Sequence, residues 1–241
     1  MKVERLQKVL AQQGLGSRRK IEQWIEEGHF HVNGKIAHLG LKVSSECNIL
    51  FKGKAIQHKS FRPTLLLYHK PIGEVCSRKP DPHQKSIFDN LPPLMQGKWL
   101  SIGRLDINTS GLLLLTNCGE LAQRLMHPRY NNEREYRVRA FGKINPQILQ
   151  NLKGETQLDD GIAQCKHLNV VAQKGNNTWF SVVLSEGRNR IVRRLFEAHN
   201  LLVNRLIRVR FADFSLDKNL KSGEYIYLDI PANLLRVSKQ I

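Results

Sequence analysis

The sequence predicts an α+β fold, with a small N-terminal domain and a second domain built on a mixed, largely antiparallel central sheet flanked by helices. Three observations support this prediction. Predicted strands outnumber predicted helices and lack the regular alternation of βαβ proteins. Hydrophobic residues make up 41% of the 241 residues, which is enough for a buried core. The polar, basic segment of residues 52–63 looks like a linker, so we expect domains at residues 1–60 and 61–241.

The first domain is predicted to contain two helices followed by short strands. The apolar residues that recur at helical spacing are Leu6, Val9 and Leu10 in the first helix, and Ile21, Trp24 and Ile25 in the second. Glycines within residues 14–16 end the first helix, Ser17 is the predicted N-cap of the second, and Gly28 ends it. Asn33-Gly34 predicts a two-residue hairpin turn, and Gly53 lies between the strands of a further pair.

The second domain is predicted from its hydrophobic periodicity. Residues 112–115 form a short apolar run after Gly111, as expected of a strand buried on both faces. EREYRVRAFG alternates, and its buried face is predicted to carry Tyr136, Val138 and Ala140. Asn117-Cys118-Gly119-Glu120 has the spacing of a capping box, which predicts the start of the helix ELAQRLMHP. The other predicted elements are the strands TLLLYHKPIG, TWFSVVLSEG, RLIRVRFADFSL and GEYIYLDI, the helix NRIVRRLFEAHN, and SIFDNLPPL as a short helix or loop.

The charge of the chain predicts a polyanionic partner. There are 38 Lys+Arg against 21 Asp+Glu, giving a formal net charge of +17. Nucleic acid is favoured over a membrane surface, because no long amphipathic basic helix is evident and no apolar run approaches the roughly 18 residues of a membrane span. In the first domain, Arg18-Arg19-Lys20 fall on the first turn of the second helix, where each cation opposes the helix dipole by about 0.3–1 kcal/mol. A phosphate partner would explain them, and an ordinary solvated face is the alternative.

A cytoplasmic protein without metal or cofactor is expected. The N-terminal stretch lacks the apolar core of a signal peptide. The cysteines stand far apart without a C-x-x-C pair, as reduced thiols do; they are Cys47, Cys76, Cys118 and Cys165. The nine histidines are scattered without the spacing of metal ligands.

The motifs of several common enzyme sites are absent, which leaves one aspartate of interest. The sequence has no G-x-S-x-G, no G-x-x-x-x-G-K-[ST] and no G-x-G-x-x-G. Asp159-Asp160-Gly161 is typical of a turn more than of an acid/base pair. Asp106 follows an arginine and precedes a turn of small residues and an apolar run. An aspartate in a turn is usually a cap or turn former, so from the residues alone a structural and a reactive role both stay open.

The N-terminal segment RLQKVLAQQGLGSRRKIEQWIEEGHFHVNGKIAHLGLKV resembles the S4-type RNA-binding domain. The resemblance covers nearly all of residues 3–52. It implies that the first domain is S4-like and that Arg18, Arg19 and Lys20 contact the phosphate backbone of a folded RNA.

The stretch GRLDINTSGLLLLTNCGEL resembles the catalytic motif of pseudouridine synthases. YHKPIG, EREYRV, EGRNRIVRRLFEAHN and NRLIRVRFADFSL match further segments in the order of that family. The resemblance implies that Asp106 is the catalytic aspartate and that Tyr136 stacks on the target uracil, with a hydroxyl that assists deprotonation of C5. Alignment to the family places the basic partner of Asp106 at Arg193, whereas helical geometry alone does not choose between Arg193 and Arg194.

Further residues are assigned to the substrate by the same resemblance. Arg104 is the candidate for filling the space that an extruded uridine vacates, and Arg188 and Arg190 are candidates for binding RNA. The segments GRNRIVRR, REYRVR and RLIRVR resemble most the branch that modifies single uridines of ribosomal RNA, in particular the large-subunit 23S RNA. This implies a stem-loop uridine, position 2605, as target. Naked RNA and an assembling 50S particle both stay open as substrate; the enzyme is expected to be a monomer without contact to a membrane.

Pseudouridine formation needs an ionised group beside C1′ of the ribose and a pocket for the detached uracil. A carboxylate can attack C1′, stabilise an oxocarbenium-like centre or remove a proton from C2′, and the sequence leaves these three routes open. A guanidinium about 4 Å away would keep Asp106 ionised, and Arg193 is expected to supply it. Two rival interpretations are a non-catalytic S4-type RNA-binding or ribosome-assembly factor and a helix-turn-helix DNA-binding protein.

Overall fold

The computed structural model describes residues 3–57 and 61–235 and divides the chain into two compact units. Unit 1 contains the described residues up to Thr64, together with Pro93–Leu100 and Asn117–Gly119. Unit 2 contains Leu65–Pro92, Ser101–Thr116 and the described residues from Glu120 onward. The domains at residues 1–60 and 61–241 stay a prediction, and the linker expected at residues 52–63 lies partly outside the described residues.

Unit 1 has the two helices and the short strands that its sequence predicts. Its elements are β1 (Glu4–Arg5), α1 (Leu6–Gln12), α2 (Arg18–Glu26), β2 (Phe30–Val32), β3 (Lys35–Ile36), β4 (Lys42–Val43), β5 (Ile49–Phe51) and β6 (Lys54–Ala55). The Ser17 side chain accepts a 3.2 Å hydrogen bond from the backbone N–H of Lys20, which confirms the predicted N-cap. Asn33 and Gly34 have positive φ angles of 50° and 81° and connect β2 to β3, as the hairpin signal predicts.

The core of unit 1 comes from the two predicted helical stripes. Leu6, Leu10 and Ile21 are fully buried, and they pack with apolar residues of β2 and β5. Trp24 is only half-buried, because its ring lies at the edge of this core, 5.0 Å from that of Phe51. The strands pair in the order β3-β2-β5-β6, and β1 pairs separately with β4.

Unit 2 is built on one large sheet. The strands after residue 64 are β7 (Leu65–Lys70), β8 (Glu74–Val75), β9 (Lys85–Ser86), β10 (Leu100–Ile102), β11 (Ser110–Thr116), β12 (Arg134–Phe141), β13 (Glu155–Leu158), β14 (Gly161–Gln164), β15 (His167–Lys174), β16 (Asn177–Leu184), β17 (Leu202–Phe211), β18 (Phe214–Ser215) and β19 (Tyr225–Leu228). Strands β8 and β9 form one separate two-stranded sheet, and β13 and β14 form another; the remaining strands belong to the large sheet. The main order is β15-β16-β12-β17-β11-β7-β19, with β10 beside β11 and β18 beside β17. Every described neighbour pair on this path is antiparallel except β11–β17, which is parallel. The predicted mixed, largely antiparallel sheet is therefore confirmed.

The helices after residue 64 are short. They are α3 (Gly119–Met126), α4 (Pro146–Lys153), α5 (Ile191–Glu197) and α6 (Ala232–Leu235), with 3₁₀ turns at Ile87–Asn90 and Pro128–Tyr130. Helix α5 begins two residues later than predicted, because Arg190 has a positive φ of 48°. None of the helices in the described part of the chain is long and apolar enough to cross a membrane.

The structure corrects the capping role that was predicted for Asn117. Helix α3 begins at Gly119, and the Asn117 side chain instead joins separate segments of unit 1. Its oxygen accepts a 2.8 Å hydrogen bond from the Thr64 N–H, and its amide donates to the backbone oxygens of Arg62 and Gln96. The sequence spacing of a capping box therefore coincides here with a tertiary contact.

The core of unit 2 confirms the predicted strand faces. Residues 112–115 of β11 are fully buried, as expected of a strand covered on both faces. Tyr136, Val138 and Ala140 on β12 are buried in one apolar cluster with residues of α5 and β16. Helix α5 thus covers one face of β12, and the cleft described next opens beside this helix.

Candidate active site

A cleft of about 490 Å³ opens in unit 2 at the end of β11, β12 and β17. Its walls come from the turn before β11, the segment before α5 and the two central strands. The lining residues include Arg104, Leu105, Asp106, Thr109, Met126, Arg134, Tyr136, Gly187, Arg188, Asn189, Arg190, Ile191, Val192, Leu206, Arg208 and Phe211. Five of these are arginines and one is a carboxylate, so the cleft suits an anionic ligand.

Asp106 lies in the tight turn that leads into β11. Its backbone oxygen accepts a 3.0 Å hydrogen bond from the Thr109 N–H, and the Ile107 oxygen accepts one from the Gly73 N–H at 2.9 Å. The residue is half-buried and its side chain lines the cleft. The turn predicted around Asp106 is therefore present, and it directs the residue to a concave surface.

The buried side chain of Lys70 stabilises this turn. The sequence did not identify Lys70 as a residue of the site. Its ammonium is fully buried and donates hydrogen bonds to the backbone oxygens of Pro71 (2.8 Å), Asp106 (3.2 Å) and Thr109 (2.9 Å). Burial lowers the pKa of Lys70, and the neighbouring carboxylates of Glu74 and Asp106 counteract part of that effect. The only sequence signal was that Lys70 falls in YHKPIG, a segment already matched to the family.

Two further contacts fix the surroundings of the turn. The thiol of Cys76 accepts from the Leu105 N–H and donates to the Leu105 oxygen, both at 3.5 Å. Burial raises the pKa of Cys76, so this thiol stays neutral and serves as a hydrogen-bonding group. Nearby, the buried carboxylate of Glu74 accepts hydrogen bonds from the Tyr68 hydroxyl (2.8 Å) and the Asn90 amide (3.1 Å).

Tyr136 lines the same cleft as Asp106. It lies on β12 with 7% exposure, and its direct partners are Val182 on β16 and Arg208 on β17. The structure therefore brings together two residues that are thirty positions apart in the sequence, and that the family resemblance assigns to one site.

The structure corrects the prediction of an ion pair between Arg193 and Asp106. Arg193 donates to the backbone oxygens of Val203 (2.7 Å) and Asn108 (2.8 Å), and within residues 3–57 and 61–235 it has no ion pair with Asp106. Two carbonyls of the adjacent turn and strand bind the guanidinium instead of the carboxylate. Burial and the neighbouring Arg190 lower the pKa of Arg193, and the charge of Asp106 opposes them. Arg193 thus connects α5 to the turn that carries Asp106.

Arg194 points to a different group, which separates two arginines that helical geometry left equivalent. Its guanidinium binds both carboxylate oxygens of Asp160, at 2.8 and 2.9 Å. Asp160 lies in the turn between β13 and β14, so the predicted Asp-Asp-Gly turn is confirmed. The hydrogen bond from Arg194 lowers the pKa of Asp160.

The three arginines proposed to bind the substrate differ in how many of their hydrogen-bond donors are available to a ligand. Arg104 is exposed at the cleft, and Arg190 is exposed in the left-handed conformation that starts α5. Arg188 also lines the cleft, but its guanidinium is held by Glu186, by Asp160 and by backbone oxygens of residues 160–162. It shapes the wall of the cleft and leaves few donors for a ligand.

The basic triplet lies on the surface of unit 1. Arg18, Arg19 and Lys20 are exposed on the first turn of α2, as predicted. Lys20 donates a 2.9 Å hydrogen bond to Gln23 and lies 5.4 Å from the centre of the Trp24 ring. No acidic residue occupies this first turn, so the cations are available to phosphates.

Sequence reasoning also missed Arg134 and Arg208. Their guanidinium carbons lie 4.9 and 5.2 Å from the centre of the Phe211 ring, and all three residues line the cleft. Among the described residues no group of three or more His, Cys, Asp or Glu side chains is arranged to hold a metal ion.

Comparisons with known proteins identify the family to which this chain belongs. The sequence model described as RNA pseudouridylate synthase matches residues 64–198, and that of the S4 domain matches residues 4–46. The chain is 45% identical to Ribosomal large subunit pseudouridine synthase B of Yersinia pestis, over 97% of this chain and 75% of the relative. It is 47% identical to the protein of the same name from Salmonella typhimurium, over 97% of this chain and 82% of the relative.

The comparison with a solved structure supports the same family. The protein described as "Crystal structure of pseudouridylate synthase" has a TM-score of 0.63 and 27% identity, and the alignment covers 93% of this chain and 96% of that one. Its fold therefore extends over both units. With a family match over more than half of the chain and close relatives along nearly all of it, this chain belongs to the RNA pseudouridylate synthase family and carries an S4 domain.

Proposed function

We propose that this enzyme isomerises a single uridine of large-subunit ribosomal RNA to pseudouridine, with position 2605 of the 23S RNA as the target. The observation that carries the proposal is the cleft in which Asp106 and Tyr136 lie among five arginines. The names of the relatives from Yersinia pestis and Salmonella typhimurium support the choice of the large-subunit RNA. The protein acts in the cytoplasm as a monomer.

The reaction breaks the N1–C1′ bond, joins C5 to C1′, moves a proton from C5 and leaves one on N1. Base and sugar are both retained, so the step is redox-neutral. Asp106 acts at the ribose, as the nucleophile at C1′. Lys70 fixes its backbone from below and Arg193 fixes the neighbouring Asn108, so the carboxylate is positioned before the substrate arrives. Deuterium at C2′ tests this assignment, since a primary isotope effect arises only if that proton is removed instead.

Tyr136 provides the surface on which the uracil is held. Its ring stacks on the base, and its hydroxyl assists the loss of the C5 proton. Because a uridine in a folded RNA must leave its stack to reach the cleft, Arg104 occupies the vacated space. Arg190 is exposed at the rim and binds a phosphate of the same strand.

The S4 domain supplies affinity for the RNA through Arg18, Arg19 and Lys20. Each phosphate that they neutralise adds roughly 0.7–0.9 to the slope of log affinity against log salt. Arg18→Ala together with Arg19→Ala is therefore expected to weaken RNA binding and flatten its salt dependence. The chemical step on bound RNA keeps its rate.

The decisive experiment compares wild type with Asp106→Asn on 23S RNA fragments and on precursor particles of the large subunit. Tritium released from 5-³H-uridine measures the reaction, and filter binding measures the complex. We expect normal binding with no product for the variant. Equal product from wild type and Asp106→Asn would contradict the role of Asp106, and binding without product from either would favour the assembly-factor alternative. Mapping pseudouridines in cells with and without the gene identifies the position.

A further inference from the structure

Arg208 is a buried cation in the wall of the cleft to which the mechanism above gives no role. It lies on β17 with 3% of its surface exposed, and it lines the cleft together with Asp106. Buried guanidinium groups in proteins normally have carboxylate or multiple carbonyl partners. Within residues 3–57 and 61–235, Arg208 has no ion pair with a carboxylate.

The hydrogen bonds of Arg208 are incomplete. Its Nε donates to the Leu112 oxygen at 2.8 Å, which holds the plane of the guanidinium against β11. Its Nη2 is buried and has no partner in the part of the chain that the structure describes. An unsatisfied buried donor is costly, so an unpartnered donor in the wall of a cleft is a candidate for binding a ligand that supplies the missing acceptor.

The position of Arg208 is set by close strand packing. It pairs in register with Tyr136 on one side and with Gly111 on the other. A Cβ atom at Gly111 would lie 2.2 Å from the Arg208 backbone oxygen, so only glycine permits this approach. Directly opposed residues of neighbouring strands project from the same face of the sheet, and Arg208 and Tyr136 both line the cleft.

We propose that Arg208 binds a carbonyl oxygen of the target uracil and so determines specificity for uridine. This inference rests on the proposed function, because it assumes that the uracil stacks on Tyr136. A guanidinium only donates hydrogen bonds. Uracil offers oxygen acceptors at C2 and C4, whereas cytosine carries an amino donor at C4, which cannot accept from Arg208.

The turning of the base during the reaction fits a fixed donor at this place. Rotation of uracil about its N3–C6 axis exchanges N1 with C5 and, at the same time, O2 with O4. A donor that faces one carbonyl before the rotation therefore faces the other carbonyl afterwards. Arg208 would hold the detached ring in both orientations, and a cytosine would lose this contact in one of them.

The test combines variants of Arg208 with substitution of single atoms in the RNA. Single-turnover rates are measured for wild type, Arg208→Lys and Arg208→Met on RNAs with uridine, 2-thiouridine or 4-thiouridine at the target, because sulfur is a poor acceptor. We expect wild type to prefer uridine over the thio analogues. Arg208→Met should lose roughly ten- to a hundredfold on uridine and should no longer discriminate. Arg208→Lys should retain an intermediate preference.

The ratios between substrates separate recognition from structure, since they do not depend on the fraction of folded enzyme. Arg205→Met is the matched control, because Arg205 lies exposed on the same strand and is not among the cleft residues. It should keep the wild-type ratios. Equal losses of Arg208→Met on all three RNAs, or no discrimination by wild type, would overturn the role of Arg208. Absence of product from wild type on every RNA would instead refute the proposed function.

Discussion

The ammonium of Lys70 donates a 3.2 Å hydrogen bond to the backbone oxygen of Asp106, from a position without any exposure to solvent. A charged group at the base of the turn thus fixes the backbone of the carboxylate that the proposed reaction needs. The same ammonium binds the oxygens of Pro71 and Thr109, so one side chain defines the whole turn. Its loss affects both folding and reaction.

Replacing Lys70 by methionine is expected to lower the free energy of unfolding by about 2–4 kcal/mol, because buried carbonyl oxygens lose their donor. The rate of the chemical step should fall more than RNA affinity does, since Lys70 positions Asp106 and touches no substrate. Urea denaturation and single-turnover kinetics measure the two effects. Lys85→Met, at an exposed lysine of unit 2, is the control and should change neither. Wild-type kinetics in Lys70→Met would contradict the positioning role.

Arg193 and Arg194 are neighbours in α5 with different predicted effects. Arg193→Met leaves the buried oxygens of Val203 and Asn108 without their donor, so we expect about 2–4 kcal/mol of destabilisation and loss of turnover. Arg194→Met breaks only an ion pair with an exposed carboxylate and should leave the unfolding midpoint and turnover nearly unchanged. Similar losses in both variants would argue against a specific link between Arg193 and the Asp106 turn.

Gly111→Ala is expected to destabilise the protein by at least about 3 kcal/mol. The added Cβ would meet the Arg208 backbone at 2.2 Å, in a residue whose φ is +110°. Gly175→Ala also replaces a glycine with positive φ, but it meets no atom within 4 Å and is the control for backbone strain alone. Comparable urea midpoints for the two variants would show that β11 and β17 can separate without cost.

Removing the Tyr136 hydroxyl tests whether the ring only stacks. If the hydroxyl assists deprotonation of C5, Tyr136→Phe should lower the single-turnover rate by roughly 10²-fold while RNA affinity stays unchanged. Tritium release and filter binding on the same RNA measure the two quantities. Normal turnover by Tyr136→Phe would leave stacking as its sole role.

The stability of unit 2 should fall in mild acid because of His199. Burial lowers the pKa of His199, and its Nε2 lies 2.9 Å from the Thr156 hydroxyl. A histidine with a lowered pKa binds protons more readily when unfolded, so stability declines as the pH falls below its ordinary value near 6.5 and levels off below the lowered pKa. Urea denaturation between pH 5 and 8 measures this. His199→Gln should remove that part of the slope, and an unchanged slope would exclude His199 as its source.

The sequence predicts most of the fold because the strands follow local periodicity. The alternation around Tyr136 and the apolar run of residues 112–115 were enough to predict β12 and β11. Helix α4 was missed, although Pro146 at its first turn and the Asn145 N-cap were available as signals. The hairpin β13–β14 was read only as a turn, because its strands are short and one face is polar.

The site was predicted in part, and the misses have a common cause. Asp106 and Tyr136 stand in motifs that are recognisable in the linear sequence. Lys70 and Arg208 are long cations in strands, which a single sequence assigns to the surface, whereas tertiary packing buries both. The pairing of Arg193 with carbonyl oxygens instead of Asp106 depends on the exact approach of α5 to the turn.

The parallel contact between β11 and β17 has a consequence for biosynthesis. The two strands join residues near 110 to residues near 208, and β17 also supplies one wall of the cleft beside β12. A nascent chain cannot close this wall until residue 211 has emerged from the ribosomal exit tunnel. A polypeptide released before β17 by a truncating mutation would therefore have the motif of Asp106 but no assembled cleft, and the isomerase would become competent only after β17 has left the ribosome.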